Sequence, residues 1–303
     1  MNRVEFITEA IESVLHQDYK HIEHIIMDGG STDGTLELLN KFPHLRVISQ
    51  PDRGIYDALN KGIQIASGEV IGFLNTDDFY EPDVFASIVQ VFCNNTGIDA
   101  LVGAATMFQV LNKDKRERMM FYPPVTPQEL LLRSTQGDPN FNAWFFHKSL
   151  FNRIGCFDIG YRYSADREFL IRFSFQTHNY VCIDQILYHY RMHPGSFTFN
   201  NRDNGEADFM FENRDLAERY LKNRDINTQA QQIFKDWHSQ ITSDETLTAL
   251  HNMAFGRAGR YIIRGESYNF LWPIIFIKRA FPRASRFLHK KIHMAFNRVL
   301  ENL

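Results

Sequence analysis

The sequence predicts an α/β protein, a doubly wound and mainly parallel sheet followed by a C-terminal helical region. Three observations carry that expectation. Short apolar runs alternate with helical stripes through the first half of the chain. The joins between them are short, as in GGSTDGT and SGE. After about Asn200 the strand-like runs stop and helical spacing takes over. The division expected is a first domain over residues 1–200 and a helical region with a basic amphipathic tail over 201–303.

The elements follow in order. Phe6 to His16 places Ile7, Ala10, Ile11, Val14 and Leu15 on one helical stripe. Ile22 to Met27 reads as a short buried strand ending at Asp28, and GGSTDGT as a loop. Thr32 or Asp33 is the expected N-cap of a helix over Leu36 to Asn40. Leu45 to Ser49 is a second strand. Gly54 begins a helix through Ala66, with Ile55, Leu59, Ile63 and Ala66 aligned, and Val70 to Leu74 is a third strand. Pro82 suits the start of the next helix, where its missing N–H does no harm. Ala100 to Val102 and Met107 to Val110 are further strands, and helices are expected over 208–221, 227–239 and 246–264. No internal repeat or low-complexity segment is present.

Composition narrows the class. A chain of 303 residues can bury a substantial core in one or two domains. Hydrophobic content of 44% and charged content of 23% are those of a soluble globular protein, and 27 Phe suit a packed core. A net charge of −3 argues against a nucleic-acid partner. Cys93, Cys156 and Cys182 show neither CxxC nor metal-ligand spacing, which favours a reduced, cytoplasmic setting. MNRVEFITEAIESV carries acids and no long apolar core, unlike a signal peptide. No run approaches the roughly 18 apolar residues of a spanning helix.

The chemistry concentrates in acids at strand ends. In FLNTDDFYEPD, Asp77 and Asp78 stand side by side after an apolar run. Like charges in contact cost energy unless a cation or hydrogen-bond donors neutralise them. A Thr-Asp-Asp-Phe turn before a helix is the ordinary alternative. In doubly wound sheets ligands collect beyond the carboxyl ends of the strands, where Asp28 and the Asp77–Asp78 pair both fall.

Four segments in order, MDGGSTDGT, QPDRGIYDALNKGIQIASGEVIGFLNTDD, IGCFDIGYRYSADREFLIR and YHYRMHPGSFT, resemble a family 2 glycosyltransferase of the GT-A fold over roughly residues 2–199. The resemblance implies transfer of a sugar from a nucleotide diphosphate donor, UDP-linked by preference, to a hydroxyl with inversion, using Mg²⁺ or Mn²⁺. On that reading Asp78 matches the metal-binding acid, with Asp77 assisting through the metal or the donor ribose. Asp28 matches the acid that reads the nucleotide base; an ordinary turn acid is the alternative. Asp166 best matches the catalytic base, with Glu168 nearby and a helix cap as the alternative role. At a helix N-terminus it would keep a low pKa. Arg191 is the phosphate candidate and His193 a metal candidate. Arg53 lies near the donor segment, while Asp57 and Lys61 also read as a plain i,i+4 pair. Asn75 stands where relatives often carry an acid, and Leu59 where many carry Arg. Trp144 in NFNAWFFHKS is expected on the acceptor side.

Relatives begin with a central strand of the type VSIIVPTYN, for which this chain has no counterpart; Asn2-Arg3 runs straight into the first helix. An empty slot would leave two strand edges unpaired. Either the start lies upstream, or another segment or chain fills the slot, or the sheet closes up. The tail, from Phe270 through Ile277 to Lys278, Arg279, Arg283, Arg286, Lys290 and Lys291, suits either an anionic membrane surface or a packed helix with solvated charges. A membrane surface, on the inner face of the cell membrane, would suit a lipid-linked saccharide acceptor in bacterial surface polysaccharide assembly. A nucleotidyltransferase and a non-catalytic partner protein are the competing classes.

Overall fold

The computed structural model describes residues 1–112, 115–138, 140–176, 179–193 and 205–280. Two compact units divide it, Met1–Gly205 and Glu206–Leu303.

In the first unit α1 (Ile7–Leu15) forms because Ile7, Ala10, Ile11 and Val14 recur at helical spacing and bury one stripe. Ile7 and Ile11 pack with Leu39 of α2 (Thr35–Leu39), under Ile26 of β1 (His24–Asp28) and Val47 of β2 (Leu45–Ser49). The strands are parallel, from His24 opposite Leu45 to Asp28 opposite Ser49. The α2 N-cap is Gly34, at φ 93°, not Thr32 or Asp33. That left-handed backbone suits glycine. Asp33 instead accepts a bond from the Thr35 amide at 3.1 Å.

α3 (Ile55–Ile65) leads to β3 (Val70–Gly72), the edge of a six-stranded mixed sheet. The sheet continues through β4 (Phe79–Tyr80), β5 (Ala100–Asn112), β6 (Lys115–Tyr122), β7 (Trp144–His147) and β8 (Tyr180–Met192). Its order is β3-β7-β5-β8-β4, with β6 on β5. β5 and β8 are parallel, while β7 runs antiparallel to both β3 and β5. Among the described residues β1 pairs only with β2, and β3 only with β7. The sheet is thus divided at the place where the resemblance implies a central strand.

Several expectations are corrected. The two strands expected between Ala100 and Val110 are one strand of 13 residues. Gly103 hides it in sequence because Leu187 of β8 packs where a side chain would stand: a Cβ there would lie 2.4 Å from Leu187 Cγ. Pro82 does not open a helix; α4 runs Phe85–Asn94. Its entry is held from α1's end, where buried Gln17 Oε1 accepts from the Val84 and Phe85 amides at 3.0 and 3.2 Å. Trp144 is fully buried in β7 and stacked on Phe146, so it belongs to the core and not to an acceptor surface. The helices α5 (Leu130–Gln136), α6 (Ser149–Ile154) and α7 (Ala165–Ser174) cover the sheet's aromatic side. There Phe73, Phe141, Phe146, Phe151, Phe157 and Phe169 form one cluster with neighbouring ring centroids 5.2–6.3 Å apart. This is where much of the phenylalanine goes.

The second unit contains α8 (Gly205–Lys222), α9 (Thr228–His251), α10 (Phe255–Tyr268) and a short helix, α11, over residues 272–280. α9 extends the helix expected over 227–239 through the start of the one expected over 246–264, whose remainder is α10. The middle of α9, QITSDE, reads as a loop because of its polar residues. In the fold Thr242, Ser243 and Thr246 turn their hydroxyls onto carbonyls four residues back, at 2.8, 2.6 and 2.7 Å, which lets them sit buried inside a continuous helix. The tail residues Arg283, Arg286, Lys290 and Lys291 lie outside the described residues.

Candidate active site

Asp28 ends β1 and is almost fully buried. Its Oδ2 accepts from the Gly30 amide at 3.0 Å, the Ser31 amide at 2.9 Å and Ser49 Oγ at 2.7 Å, and its Oδ1 from Ser31 Oγ. Burial alone would raise its pKa; the bonds from Ser31, Ser49 and Gly30 outweigh that and hold it down to about 2. Asp28 therefore ties the end of β1 to the loop after it and to the end of β2. Gly29 follows with room for Asp52: a Cβ there would stand 2.6 Å from Asp52 Oδ2, so a larger residue would push that side chain aside. This brings the DGG and PDRG motifs against each other.

Arg53 follows on that second loop with its side chain mostly exposed, 3.6 Å from Asp57. Asp57 also accepts from the Arg53 amide at 3.0 Å and pairs with Lys61 at 2.9 Å. The plain helix pair is thus present, and Arg53's guanidinium stands at the rim.

Asp77 and Asp78 diverge. Asp78 points inward and is almost fully buried. Its Oδ1 accepts from the Arg191 amide at 2.8 Å; its Oδ2 accepts from Tyr188 Oη at 2.8 Å and Asn75 Nδ2 at 3.0 Å. Burial first, and then Asp77's charge, push its pKa upward. Both oxygens are committed to the protein, so Asp78 does not offer the free carboxylate that the motif implies for a metal ligand. Asp77 pairs through Oδ2 with His193 Nε2 at 3.0 Å, and Phe6 packs on the imidazole with centroids 4.4 Å apart. Arg191 locks this corner. Its Nε donates to the Asp77 carbonyl at 2.8 Å, it pairs with Glu9 of α1, and it lies over the Phe6 and Phe108 rings.

Asp166 occupies the first turn of α7 behind the N-cap Ser164, so it is not the cap. Its Oδ1 accepts from the Arg167 amide at 2.7 Å. Its pKa is raised, contrary to the expectation from the helix N-terminus. Burial is the largest cause and outweighs the Arg167 charge and the Tyr56 hydroxyl bond, with Asp138 adding a like charge. Glu168 is separated from it: fully buried, it forms a two-oxygen pair with Arg172 at 2.8 and 2.9 Å. Arg167 points away, onto the Ser134 and Thr135 carbonyls at the end of α5.

Tyr188 and Tyr190 join these groups. Their rings are 4.8 Å apart on β8, and Tyr188 holds Asp78. Burial raises the Tyr190 pKa, and the charges of Asp138, Asp78 and Asp166 raise it further. Asn142 binds both tyrosine hydroxyls, with its amide on Tyr190 and its side chain on Tyr188, each at 3.1 Å. Asp28 stands further back: Ser31 Oγ, which bonds it, accepts from the Asn2 amide at 2.7 Å, on the segment that leads to Phe6 and His193. Sequence reasoning missed Tyr188, Tyr190, Tyr56, Glu9 and Asn142. The period-two tyrosines of LYHYRM were the available signal. Among the described residues no group of three or more His, Cys, Asp or Glu is arranged as a complete metal site.

Comparison with known proteins agrees with this architecture. An uncharacterised glycosyltransferase of Mycobacterium tuberculosis is 33% identical over 177 residues, 56% of this chain and 64% of that protein. The PGL/p-HBAD biosynthesis glycosyltransferase of Mycobacterium bovis is 30% identical over 182 residues, 57% of this chain and 66% of its own length. The chain thus covers just under two thirds of these relatives. Among solved structures, S. aureus TarS residues 1–349 with UDP-GlcNAc superposes with a TM-score of 0.60 at 18% identity, covering 88% of each chain. The Pyrobaculum calidifontis mannosyltransferase PcManGT with GDP-Man and Mn²⁺ gives 0.54 at 14% identity, covering 91% of this chain and 84% of its own. The fold is that of the GT-A glycosyltransferases. The glycosyl transferase family 2 model matches residues 1–155, and the chain is a member of that family.

Proposed function

We propose that the protein transfers a sugar from a nucleotide diphosphate donor to a hydroxyl acceptor with inversion, Asp166 serving as the base. What supports this is the place of Asp166 in the first turn of α7, bonded by the Arg167 amide at 2.7 Å, where desolvation raises its pKa. Direct displacement needs a base to take the acceptor's proton as its oxygen attacks the anomeric carbon and the nucleoside diphosphate departs. A carboxylate lifted above its ordinary value is a stronger proton acceptor than a free one.

The donor set at Asp77 and His193 fits a hard divalent cation that takes its remaining ligands from diphosphate and water. Mg²⁺ or Mn²⁺ bound there would neutralise charge on the leaving diphosphate. Asp78 acts as a positioning residue, fixing the amide of Arg191 and the hydroxyl of Tyr188. On this reading Arg53, mostly exposed, and Arg191, once freed from Glu9, would be the contacts for the donor's phosphates. Asp28 shapes the base-side loop. UDP is the favoured nucleotide, supported by the UDP-GlcNAc complex of TarS; the GDP-Man complex of PcManGT makes GDP-mannose the control. A saccharide or lipid-linked saccharide is the acceptor class, consistent with a relative named for PGL/p-HBAD biosynthesis.

Calorimetry with UDP-glucose, UDP-GlcNAc, UDP-galactose and GDP-mannose, each with Mn²⁺, tests the donor. One of them should bind, and Asp77→Asn should weaken that binding. Silence across the panel, or equal binding without metal, overturns the assignment.

A further inference from the structure

We propose that the second unit docks on an anionic lipid surface through the outer face of α11 and the turn before it. The orientation of this segment is set by three contacts with α9. Asn269 Nδ2 donates to Ser239 Oγ at 2.9 Å, and Trp272 Nε1 to Thr242 Oγ1 at 2.8 Å. Further on, Arg279 binds both carboxylate oxygens of Asp244, at 3.0 and 2.6 Å. Gly265 of α10 makes room for the indole: a Cβ there would stand 2.2 Å from Trp272 Nε1. Trp272 and Arg279 are thus inward anchors, and neither is available to a membrane.

The face left outward is apolar. Phe270 is 86% exposed, Leu271 44%, Ile274 53% and Ile277 63%. Ile274 and Ile277 recur at helical spacing on α11, and Phe270 and Leu271 stand exposed in the turn before it. A surface helix of a soluble protein usually turns such a stripe inward. Here the polar anchors hold the inner side and the greasy side faces out, which marks an interaction surface.

Charge selects the occupant. Lys278 is exposed at the end of the stripe, and Arg257 and Arg260 are exposed on α10. Residues 281–303 carry Arg283, Arg286, Lys290, Lys291 and Arg298 against a single acid, Glu301. Apolar residues flanked by cations suit anionic lipid headgroups over acyl chains; a second copy of the same face would bring like charges together.

The test uses the full chain with sucrose-loaded vesicles of phosphatidylcholine, alone or mixed equally with phosphatidylglycerol. The protein should sediment with the mixed vesicles, more weakly with neutral ones, and lose binding as salt rises. The double variant Ile274→Gln/Ile277→Gln should bind the mixed vesicles at least about tenfold more weakly, with an unchanged melting temperature because both side chains face out. Lys278→Glu should reduce the preference for phosphatidylglycerol. Absence of binding to anionic vesicles, or wild-type binding by the double variant, overturns the proposal. So does a concentration-dependent dimer that the double variant abolishes, seen by analytical ultracentrifugation, since the stripe then faces a second copy. Vesicle binding is read without any sugar donor, so its failure is distinct from failure of the proposed reaction.

Discussion

Asp28 and Asp166 are both acids at the ends of regular elements, yet the fold treats them in opposite ways. Asp28 is almost fully buried but receives two amides and two hydroxyls, and it stays ionised down to about pH 2. Asp166 is half-buried, and desolvation, with a like charge from Asp138 nearby, raises its pKa. Burial raises both carboxylates; the donors at Asp28 reverse that, while the Arg167 charge and amide and the Tyr56 hydroxyl do not reverse it at Asp166. Asp78 shows that donors alone do not settle the matter, since with three of them its pKa still rises through burial and the charge of Asp77.

Substitutions that exchange these environments test the contrast. The largest effect belongs to Asp166→Asn, which should lower kcat by about 10²–10⁴-fold with donor affinity unchanged. Because a raised carboxylate pKa makes the ionised form costly in the fold, the variant's melting temperature at pH 7 should hold or rise. A normal rate moves the base elsewhere. Asp77→Asn comes next: the Mn²⁺ concentration for half-maximal turnover should rise at least about tenfold, whereas Asp78→Asn should leave it near wild type. The reverse pattern restores Asp78 as the metal ligand.

Asp28→Asn should cost about 2 kcal/mol at pH 7, from its lost charge-assisted bonds. The folded pKa lies below the unfolded one, so this stabilisation is full above about pH 4 and fades as pH falls toward 2. Wild-type and variant stabilities should therefore converge in acid; a constant gap contradicts the charge argument. The smallest effect is that of Tyr56→Phe. The Tyr56 hydroxyl holds Asp166's pKa down, so its removal should move the acid limb of the rate profile to higher pH.

Much of the fold was legible where the residues state their own pattern. Ile7, Ala10, Ile11 and Val14 announce α1, and Asp28 ends β1 as its sequence position suggests, whereas Asp77 and Asp78 lie in the turn before β4 and not at the end of β3. What was hidden was set by partners distant in sequence. Gly103 conceals a long strand because Leu187 supplies its bulk, and Thr242, Ser243 and Thr246 conceal a helix because their hydroxyls bond internally. At the site, the motifs pointed to Asp77, Asp78 and Asp166 but could not rank them. Whether an acid is spent on the fold or free for chemistry depends on donors such as Tyr188, which lies 110 residues from Asp78 along the chain.

The pH dependence of kcat, followed as nucleoside diphosphate release from the bound donor in wild type and Asp166→Asn, tests the central claim most directly. The wild-type rate should climb with pH through a limb clearly above the ordinary aspartate value of about 3.8, and the variant should be slow and flat across it. The same limb in both proteins would contradict the assignment of Asp166 as the base.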